Sequence, residues 1–483
     1  MTISGALNNA MSGLQAASRA TQVISSNLSN ALTEGYGTRS LELSSRIVGG
    51  LGGVRVDGIM RNVDPVLVAD RQLANASYAN KRTTLDFMSN LERLVGTPGQ
   101  DGALTQRIAA FESSLITAAS RPDAPDRLET AINAARNLAS SIKTTSDGIQ
   151  DQRTRADHAI NAQVNRLNEA LLELQEVNSQ VTTAQVRGLE DASYQDYRQK
   201  LIDEISEIVP VKSVPRANGS VALFTFGGAV LMDGKAGKIG FDPANLVSYG
   251  MSFAAGDLSG LTLNGNNIRT GPDDGALRGG SLSAQFEIRD QLAPDAQEQL
   301  DAVARDLVER FEDFAPISGG VPQAGLFTDS GGRFQSVNET GLAGRIGINQ
   351  LVDPSQGGDT WKLRDGLGAT VPGDVGDATL LQSMGAALSL SRAPASGDFG
   401  SGSFSAVNLS STMMSLWASD RLNAEQTLSF ASTQLGELTQ LVLSEGVDSD
   451  AELQRLILIE QAYAANARMI KTVDEMMENL LSI

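Results

Sequence analysis

The two ends of this chain carry matching heptad patterns, and these patterns constrain its fold more than any other feature. At the N-terminus, steps of three and four residues alternate through Ile3, Leu7, Ala10, Leu14, Ala17, Thr21, Ile24, Leu28 and Ala31. At the C-terminus, the same alternation runs through Leu456, Ile459, Tyr463, Asn466, Ile470, Val473, Met477 and Leu480. Each pattern predicts an amphipathic helix of about 40 Å whose apolar face packs against another helix.

The N-terminal pattern contains only five large apolar residues, and its other four positions are alanine or threonine. Ordering each backbone residue costs about 1–2 kcal/mol, so burial of these few side chains does not stabilise the isolated segment as a helix. We therefore expect both ends to be loose in the monomer and to fold when neighbouring chains supply the missing surface. The alternative is that the two helices pair with each other inside one stable domain. The predicted assembly interface consists of Ile3, Leu7, Leu14, Ile24, Leu28, Leu456, Ile459, Tyr463, Asn466, Ile470, Val473, Met477 and Leu480.

Long helices are also predicted between the two ends. Residues 126–187 contain no proline and a single glycine, and two prolines just before them are a typical start signal. Shorter helices are predicted over 189–209 and 297–314. Asn178 and Asn466 each interrupt an apolar stripe, either because an asparagine fixes the register there or because the edge of the stripe is solvated. The stripe of the long helix is Ile160, Val164, Leu167, Leu171, Leu174, Asn178 and Val181.

The composition changes after residue 210. Short β-rich runs such as 221–226 alternate with turn signals such as Asn218-Gly219 and Asn264-Gly265, which favours an inserted antiparallel β domain. The predicted fold class is therefore α+β: a coiled-coil or bundle rod of long helices built from both chain ends, with an inserted small antiparallel β domain. A second glycine-rich stretch, 316–403, either extends the β domain or forms loops on the rod.

These patterns divide the chain into three domains and one unassigned segment. The terminal paired-helix domain combines residues 1–45 with 436–483. The helical rod domain combines residues 46–209 with 284–340 and 376–435, and the inserted β domain covers 210–283. Residues 341–375 form a glycine-rich β or loop segment that is left unassigned.

The side-chain repertoire disfavours chemistry. The chain has no cysteine and one histidine, so thiol catalysis and multi-histidine metal sites are absent, and His158 is expected at a solvated helix position. Gly234-Lys235 resembles the end of a phosphate-binding loop, but Ala236 replaces the required serine or threonine. The glycines of 49–53 indicate a flexible turn. We predict no catalytic residue, no cofactor and no metal.

Charge and hydropathy limit the partners. A net charge of −19 disfavours binding to nucleic acid, because an acidic surface repels phosphate groups. No apolar run is long enough to cross a membrane, and no cleavable secretion signal is predicted at the N-terminus. Export that depends on an uncleaved N-terminus stays compatible with this sequence.

The terminal motifs resemble the signatures of the bacterial flagellar axial proteins, the family of rod, hook and hook-associated subunits. At the N-terminus the similar stretches are Gly13-Leu14-Gln15-Ala16, Ser26-Asn27-Leu28-Ser29-Asn30 and Gly35-Tyr36; at the C-terminus they are Gly446-Val447-Asp448, the run from Glu460 to Ala467, and Asp474-Glu475-Met476. Three internal stretches, within 164–178, 197–204 and 280–290, resemble the hook-associated branch. The last of them, with the helix behind it, resembles that branch more than rod or hook subunits. The chain departs from the family at Leu32-Thr33-Glu34 and at 448–452, which affects local packing.

The resemblance implies a structural role outside the cell. Subunits of this family are exported unfolded through the flagellar type III apparatus and assemble in a helical or ring array through their terminal helices. The implied location is the junction of hook and filament. Implied partners are the hook protein, hook-associated protein 3 and an export chaperone that holds the C-terminal helix. The alternatives are another axial subunit (hook-associated protein 3 itself, or a hook or rod protein) and a secreted adhesin-like module whose β domain is the binding part.

Overall fold

The computed structural model describes residues 3–33, 35–45, 52–97, 99–100, 102–271, 273–318 and 320–482, without the side chains at 480 and 481. Its helices are α1 (Ile3–Ser29), α2 (Pro65–Val95), α3 (Leu104–Ser120), α4 (Pro125–Arg187), α5 (Ala192–Ile208), α6 (Ser281–Glu287), α7 (Ala293–Glu312), α8 (Leu342–Arg345), α9 (Lys362–Asp365), α10 (Thr379–Ser389), α11 (Ala406–Ser444) and α12 (Ser449–Leu481). Its strands are β1 (Thr38–Ser45), β2 (Val54–Asn62), β3 (Val211–Pro215), β4 (Val221–Thr225), β5 (Val230–Asp233), β6 (Lys235–Ala236), β7 (Ile239–Gly240), β8 (Leu261–Leu263), β9 (Asn266–Ile268), β10 (Ile317–Ser318), β11 (Val321–Pro322), β12 (Phe327–Asp329) and β13 (Ile346–Ile348). Long helices from both chain ends and small antiparallel sheets between them confirm the α+β class.

The first and last helices belong to one unit together with a β-hairpin. α1 packs against α12, and β1 and β2 pair in antiparallel fashion and pack against α1. This hairpin was not predicted from the sequence, and residues from 46 onward were expected to be helical. Residues 46–51, which include part of the glycine-rich turn predicted at 49–53, lie outside the described residues. We call residues 3–62 and 449–481 the terminal unit, and residues 65–444 the body.

The C-terminal segment consists of two helices. α11 ends at Ser444 and α12 begins after Asp448, whose side chain accepts hydrogen bonds from the backbone N–H groups of Asp450 and Ala451. Such an N-cap satisfies donors that the first helical turn leaves free. α11 packs along α2, so the two chain segments that enter and leave the body lie side by side.

A helical core occupies one part of the body. α3 and α7 pack on the N-terminal half of α4, and α10 and the first turns of α11 pack on α3 and α7. The rings of Phe111, Phe311 and Phe327 meet at the centre of this core with centroids 5.2–5.8 Å apart. The stretch 316–403 packs on this core through buried residues such as Leu342 and Leu381. This glycine-rich stretch therefore forms loops and short elements on the helical core, and it does not extend the β domain.

The inserted β domain packs on the C-terminal half of α4. Strands β3-β4-β5-β6 form one antiparallel sheet and β7-β8-β9 another, and their apolar side chains join α4 and α5 in a second core. Every residue of the stripe predicted from Ile160 to Val181 is buried. Asn178 does not lie at a solvated edge: its side-chain amide donates to the carbonyl oxygen of Val221 and accepts from the N–H of Val221, which attaches α4 to β4.

Buried charged groups connect the two cores. Arg289 is fully buried; it donates to Asp157 at 2.7 Å and to Asp290 at 2.8 Å. Arg153 donates to backbone carbonyls of the loop between β7 and β8, and burial lowers its pKa. Burial raises the pKa of Asp301 to about 6, although this carboxylate accepts hydrogen bonds from the backbone at 341 and 343. Such fully satisfied networks fix one arrangement of the helices around them.

Candidate assembly interface

The predicted interface residues lie on the α1–α12 pair. The end of α1 and the link before α12 line the same cavity, and Gly13 lies against Asn466, so the two helices run antiparallel. Ile24 and Val473 are buried, whereas Leu28, Tyr463 and Met477 are exposed. Leu480 lies in α12, but its side chain is outside the described residues. The half-buried members are Ile3, Leu7, Leu14, Leu456, Ile459, Asn466 and Ile470.

This arrangement bears on how the ends are stabilised. The two apolar stripes face each other within one chain, which is the second of the two alternatives set out from the sequence. Burial along the seam is only partial. α12 packs on α1 and makes no comparable contact with other described elements, so no third element covers the edges of the seam. The seam thus holds the pair together and leaves most of the surface of α12 open.

Close approach at the seam depends on a glycine. A Cβ atom added at Gly13 would lie 2.7 Å from Nδ2 of Asn466 and 3.0 Å from its Cγ. The Asn466 amide donates to the carbonyl oxygen of Ala462 at 3.0 Å and so stays folded back on its own helix. Gly13 and Asn466 come from the two terminal motifs, so the motifs meet in space.

A buried asparagine holds the corner between α1 and the hairpin. Asn27 is fully buried; its side chain donates to the carbonyl oxygen of Arg39 at 2.8 Å and accepts from the N–H of Arg39 at 3.0 Å. The hydroxyl of Tyr36 also donates to Asn27 at 2.9 Å. The N-terminal motif residues Asn27 and Tyr36 therefore fix how the chain turns from helix into strand.

A second apolar stripe follows the outer face of α12. It alternates steps of four and three residues, as the first stripe does, but it is rotated by about 100° around the helix. Leu458 is 64% exposed, Met469 50% and Met476 51%. This stripe was missed in the sequence because small residues fill half of it. Its members are Leu458, Ala462, Ala465, Met469, Thr472 and Met476.

The described residues offer little for catalysis. They contain no group of three or more histidine, cysteine, aspartate or glutamate residues placed to hold a metal ion. His158 is exposed on α4, as predicted. Within the described part of the chain, no helix is both long and apolar enough to cross a membrane.

Comparison with known proteins finds flagellar relatives. A family model described as the helical domain of flagellar hook-associated protein FlgK matches residues 88–315, which cover most of the helical core and the β domain. Flagellar hook-associated protein 1 of Bacillus subtilis is 22% identical over 99% of this chain and 97% of its own length. The chain is similar to the flagellar hook-associated protein 1 family along almost its whole length.

Other matches cover less of their counterparts. Flagellar hook-associated protein 1 of Escherichia coli is 26% identical over 49% of this chain, and the match spans 44% of that relative. The solved structure of the flagellar hook junction protein FlgK from Burkholderia pseudomallei aligns with a TM-score of 0.43 and 21% identity, over 54% of this chain and 46% of that one.

The terminal unit has its own matches. A family model named flagella basal body rod protein matches residues 7–36, and one for the C-terminal part of the flagellar basal body rod FlgEFG proteins matches 441–483. These two ranges contain most of α1 and all of α12. All of these family models and relatives carry the names of flagellar hook-associated or basal body rod proteins.

Proposed function

We propose that this protein joins the hook of the bacterial flagellum to its filament and assembles through its terminal unit. The observation that carries the proposal is the exposed apolar stripe on the outer face of α12, on a helix pair whose inner seam is already formed. Exposed apolar faces of this length mark surfaces that other protein chains cover. The names of the relatives supply the flagellar context, and the structure supplies the surface.

The geometry gives each stripe a different task. The predicted interface residues of α1 and α12 that the structure describes form the seam inside one subunit, and the exposed ones among them, such as Tyr463, complete their contacts in the array. The outer stripe supplies contacts to neighbouring copies. Leu458, Met469 and Met476 are about half exposed, so covering them contributes about 3–4 kcal/mol per subunit. Weak contacts of this size become strong when an array repeats them around a ring.

The proposed partners follow the family resemblance. They are further copies of this chain in a helical or ring array, the hook protein on one side, hook-associated protein 3 on the other, and an export chaperone on the C-terminal helix. Export would occur in an unfolded state, and a chain without cysteine forms no disulfide that would obstruct threading. We propose no enzymatic activity and no contact with nucleic acid or membrane. The three-domain division of the chain is part of the same proposal.

The test replaces the outer stripe while keeping the seam. Leu458→Glu/Met469→Glu should abolish filaments and release flagellin into the medium while hooks persist, in cells that carry only this variant. Leu172→Glu is the matched control, because Leu172 is an equally exposed leucine on α4. Electron microscopy and a flagellin assay give the readout. Normal filaments in the double variant would refute assembly through the outer stripe.

Two further strains separate the remaining possibilities. Val473→Asp places a charge in the seam, so it should also block assembly, but by releasing α12 from α1 while the body stays folded. Deletion of the gene should leave hooks without filaments. Missing or abnormally long hooks would assign the protein to the hook or rod instead, and normal filaments would refute the axial role altogether.

A further inference from the structure

The terminal unit is attached to the body by few contacts. Among the described residues, neither of the two hydrophobic cores of the body includes a side chain of the terminal unit. The chain crosses between the two parts at residues 63–64 and again at 445–448. Both crossings line a cavity of about 70 Å³, together with Thr33, Gly35 and Gln199. A joint with a void and no shared core has little packing to fix its angle.

One carboxylate bridges this joint. Asp196 lies on α5, in the body, and its two oxygens accept from both strands of the hairpin. Nη2 of Arg39 donates to Oδ2 at 2.7 Å, and Nε of Arg61 donates to Oδ1 at 2.7 Å. The backbone N–H of Gly37 donates to Oδ1 at 3.1 Å. The three side chains are only 12–17% exposed, so water screens the pairs weakly.

Another ion pair at the joint is weaker. Arg19 of α1 donates to Glu190 at 2.9 Å, but both side chains are more than half exposed. Exposed pairs of this kind contribute little to stability. The Asp196 cluster is therefore the main polar contact between the two parts within the described residues.

The charges around Asp196 make it hard to replace. Arg198, on the same helix, has its pKa lowered mainly by burial and also by the nearby Arg61. Without the carboxylate, Arg39 and Arg61 would lie half-desolvated beside a third guanidinium. Like charges in a poorly solvated site repel each other, and unpaired buried charges are strongly disfavoured. Loss of Asp196 thus converts an attraction across the joint into a repulsion.

We infer that Asp196 is a positioning residue, an ionic latch that sets the angle between the terminal unit and the body. The latch acts on the hairpin, and Asn27 transmits the hairpin's position to α1 through its hydrogen bonds with Arg39. α12 follows, because it packs on α1. A single carboxylate in the body thereby fixes the direction of the helix pair.

The test measures the angle directly in the isolated chain. Since the chain has no cysteine, Ser45→Cys in the hairpin and Ser179→Cys on α4 give two unique positions for spin labels. Both serines are exposed. Pulsed electron paramagnetic resonance then reports the distribution of distances between the labels. We expect Asp196→Asn to widen this distribution at least about twofold relative to the doubly labelled parent.

Two comparisons make the result specific. Asp233→Asn is the matched control, because Asp233 binds Arg216 through two hydrogen bonds but lies wholly within the body; it should keep the parent distribution. Arg39→Gln/Arg61→Gln removes the opposite side of the latch and should widen the distribution as Asp196→Asn does, which also covers the case in which Asp196→Asn fails to fold. A parent-like distribution in the latch variants overturns the inference. The measurement uses monomers, so its outcome is independent of assembly at the hook.

Discussion

The contact between Gly13 and Asn466 allows the seam to be tested with a double-mutant cycle. Gly13→Ala has two opposed effects. Alanine improves helix propensity by about 1 kcal/mol. Its Cβ also displaces the Asn466 side chain, which overpacks the seam at about 1–3 kcal/mol and strains the hydrogen bond to Ala462. The net effect in the parent chain should be a destabilisation of the pair by about 0–2 kcal/mol.

The sign should change when Asn466 is shortened. In an Asn466→Ala background the Asn466 side-chain atoms that lie nearest to the new Cβ are gone, and Gly13→Ala should stabilise α1 by about 1 kcal/mol. The expected coupling between the two sites is therefore about 1–3 kcal/mol. Pairs of sites that do not touch usually add within about 0.5 kcal/mol, so the difference is measurable.

Amide hydrogen exchange in α1 and α12 provides the assay, because it reports local opening without requiring the body to unfold. A coupling of 1.4 kcal/mol corresponds to about a tenfold difference in protection. Equal effects of Gly13→Ala in both backgrounds would refute the seam geometry. Exchange in α3, inside the helical core, should be the same in all four proteins.

Two predictions concern the body. Because burial raises the pKa of Asp301 to about 6, the folded protein retains a proton that the unfolded chain releases near pH 4. The protonated carboxyl of Asp301 therefore contributes to the free energy of unfolding at low pH, and up to about 3 kcal/mol of this contribution is lost as the pH rises through 6. Asp301→Asn should flatten the dependence of the urea midpoint on pH, and an unchanged slope would contradict this. Phe111→Ala should lower the free energy of unfolding of the helical core by about 3–5 kcal/mol, measured by thermal denaturation, and leave amide hydrogen exchange in α12 unchanged. An equal loss of exchange protection in α12 would contradict the separation of the terminal unit from the body.

The periodic patterns predicted the long helices and the faces by which they pack. Ile160 to Val181 are buried as a stripe, and Ile24 and Val473 lie in the terminal seam. Periodicity was informative here because a heptad repeat sustained over many turns is typical of packed helices and of little else. It gave no information about which copy of a helix supplies the partner, and for that reason two alternatives remained for the chain ends.

The hairpin and the latch were missed for a physical reason. β1 and β2 contain few β-branched or aromatic residues, so local propensity for strands is weak. Their stability comes from contacts with α1, and in sequence Arg39 and Arg61 resemble ordinary surface charges. Asp196 is more than 130 residues away from either arginine, so no local pattern connects them.

The pairing of α1 with α12 joins residues about 450 positions apart in the sequence, and this separation determines when the pair forms during folding. Closing a flexible loop of that length costs about 5 kcal/mol of chain entropy. Once α2 and α11 lie side by side, however, the remaining gap between the two ends is short, and most of that cost has already been met by folding of the body. The seam should therefore form last during folding. If the chain is exported from one end, the terminal helix that emerges first has no partner until the terminal helix at the other end has also emerged.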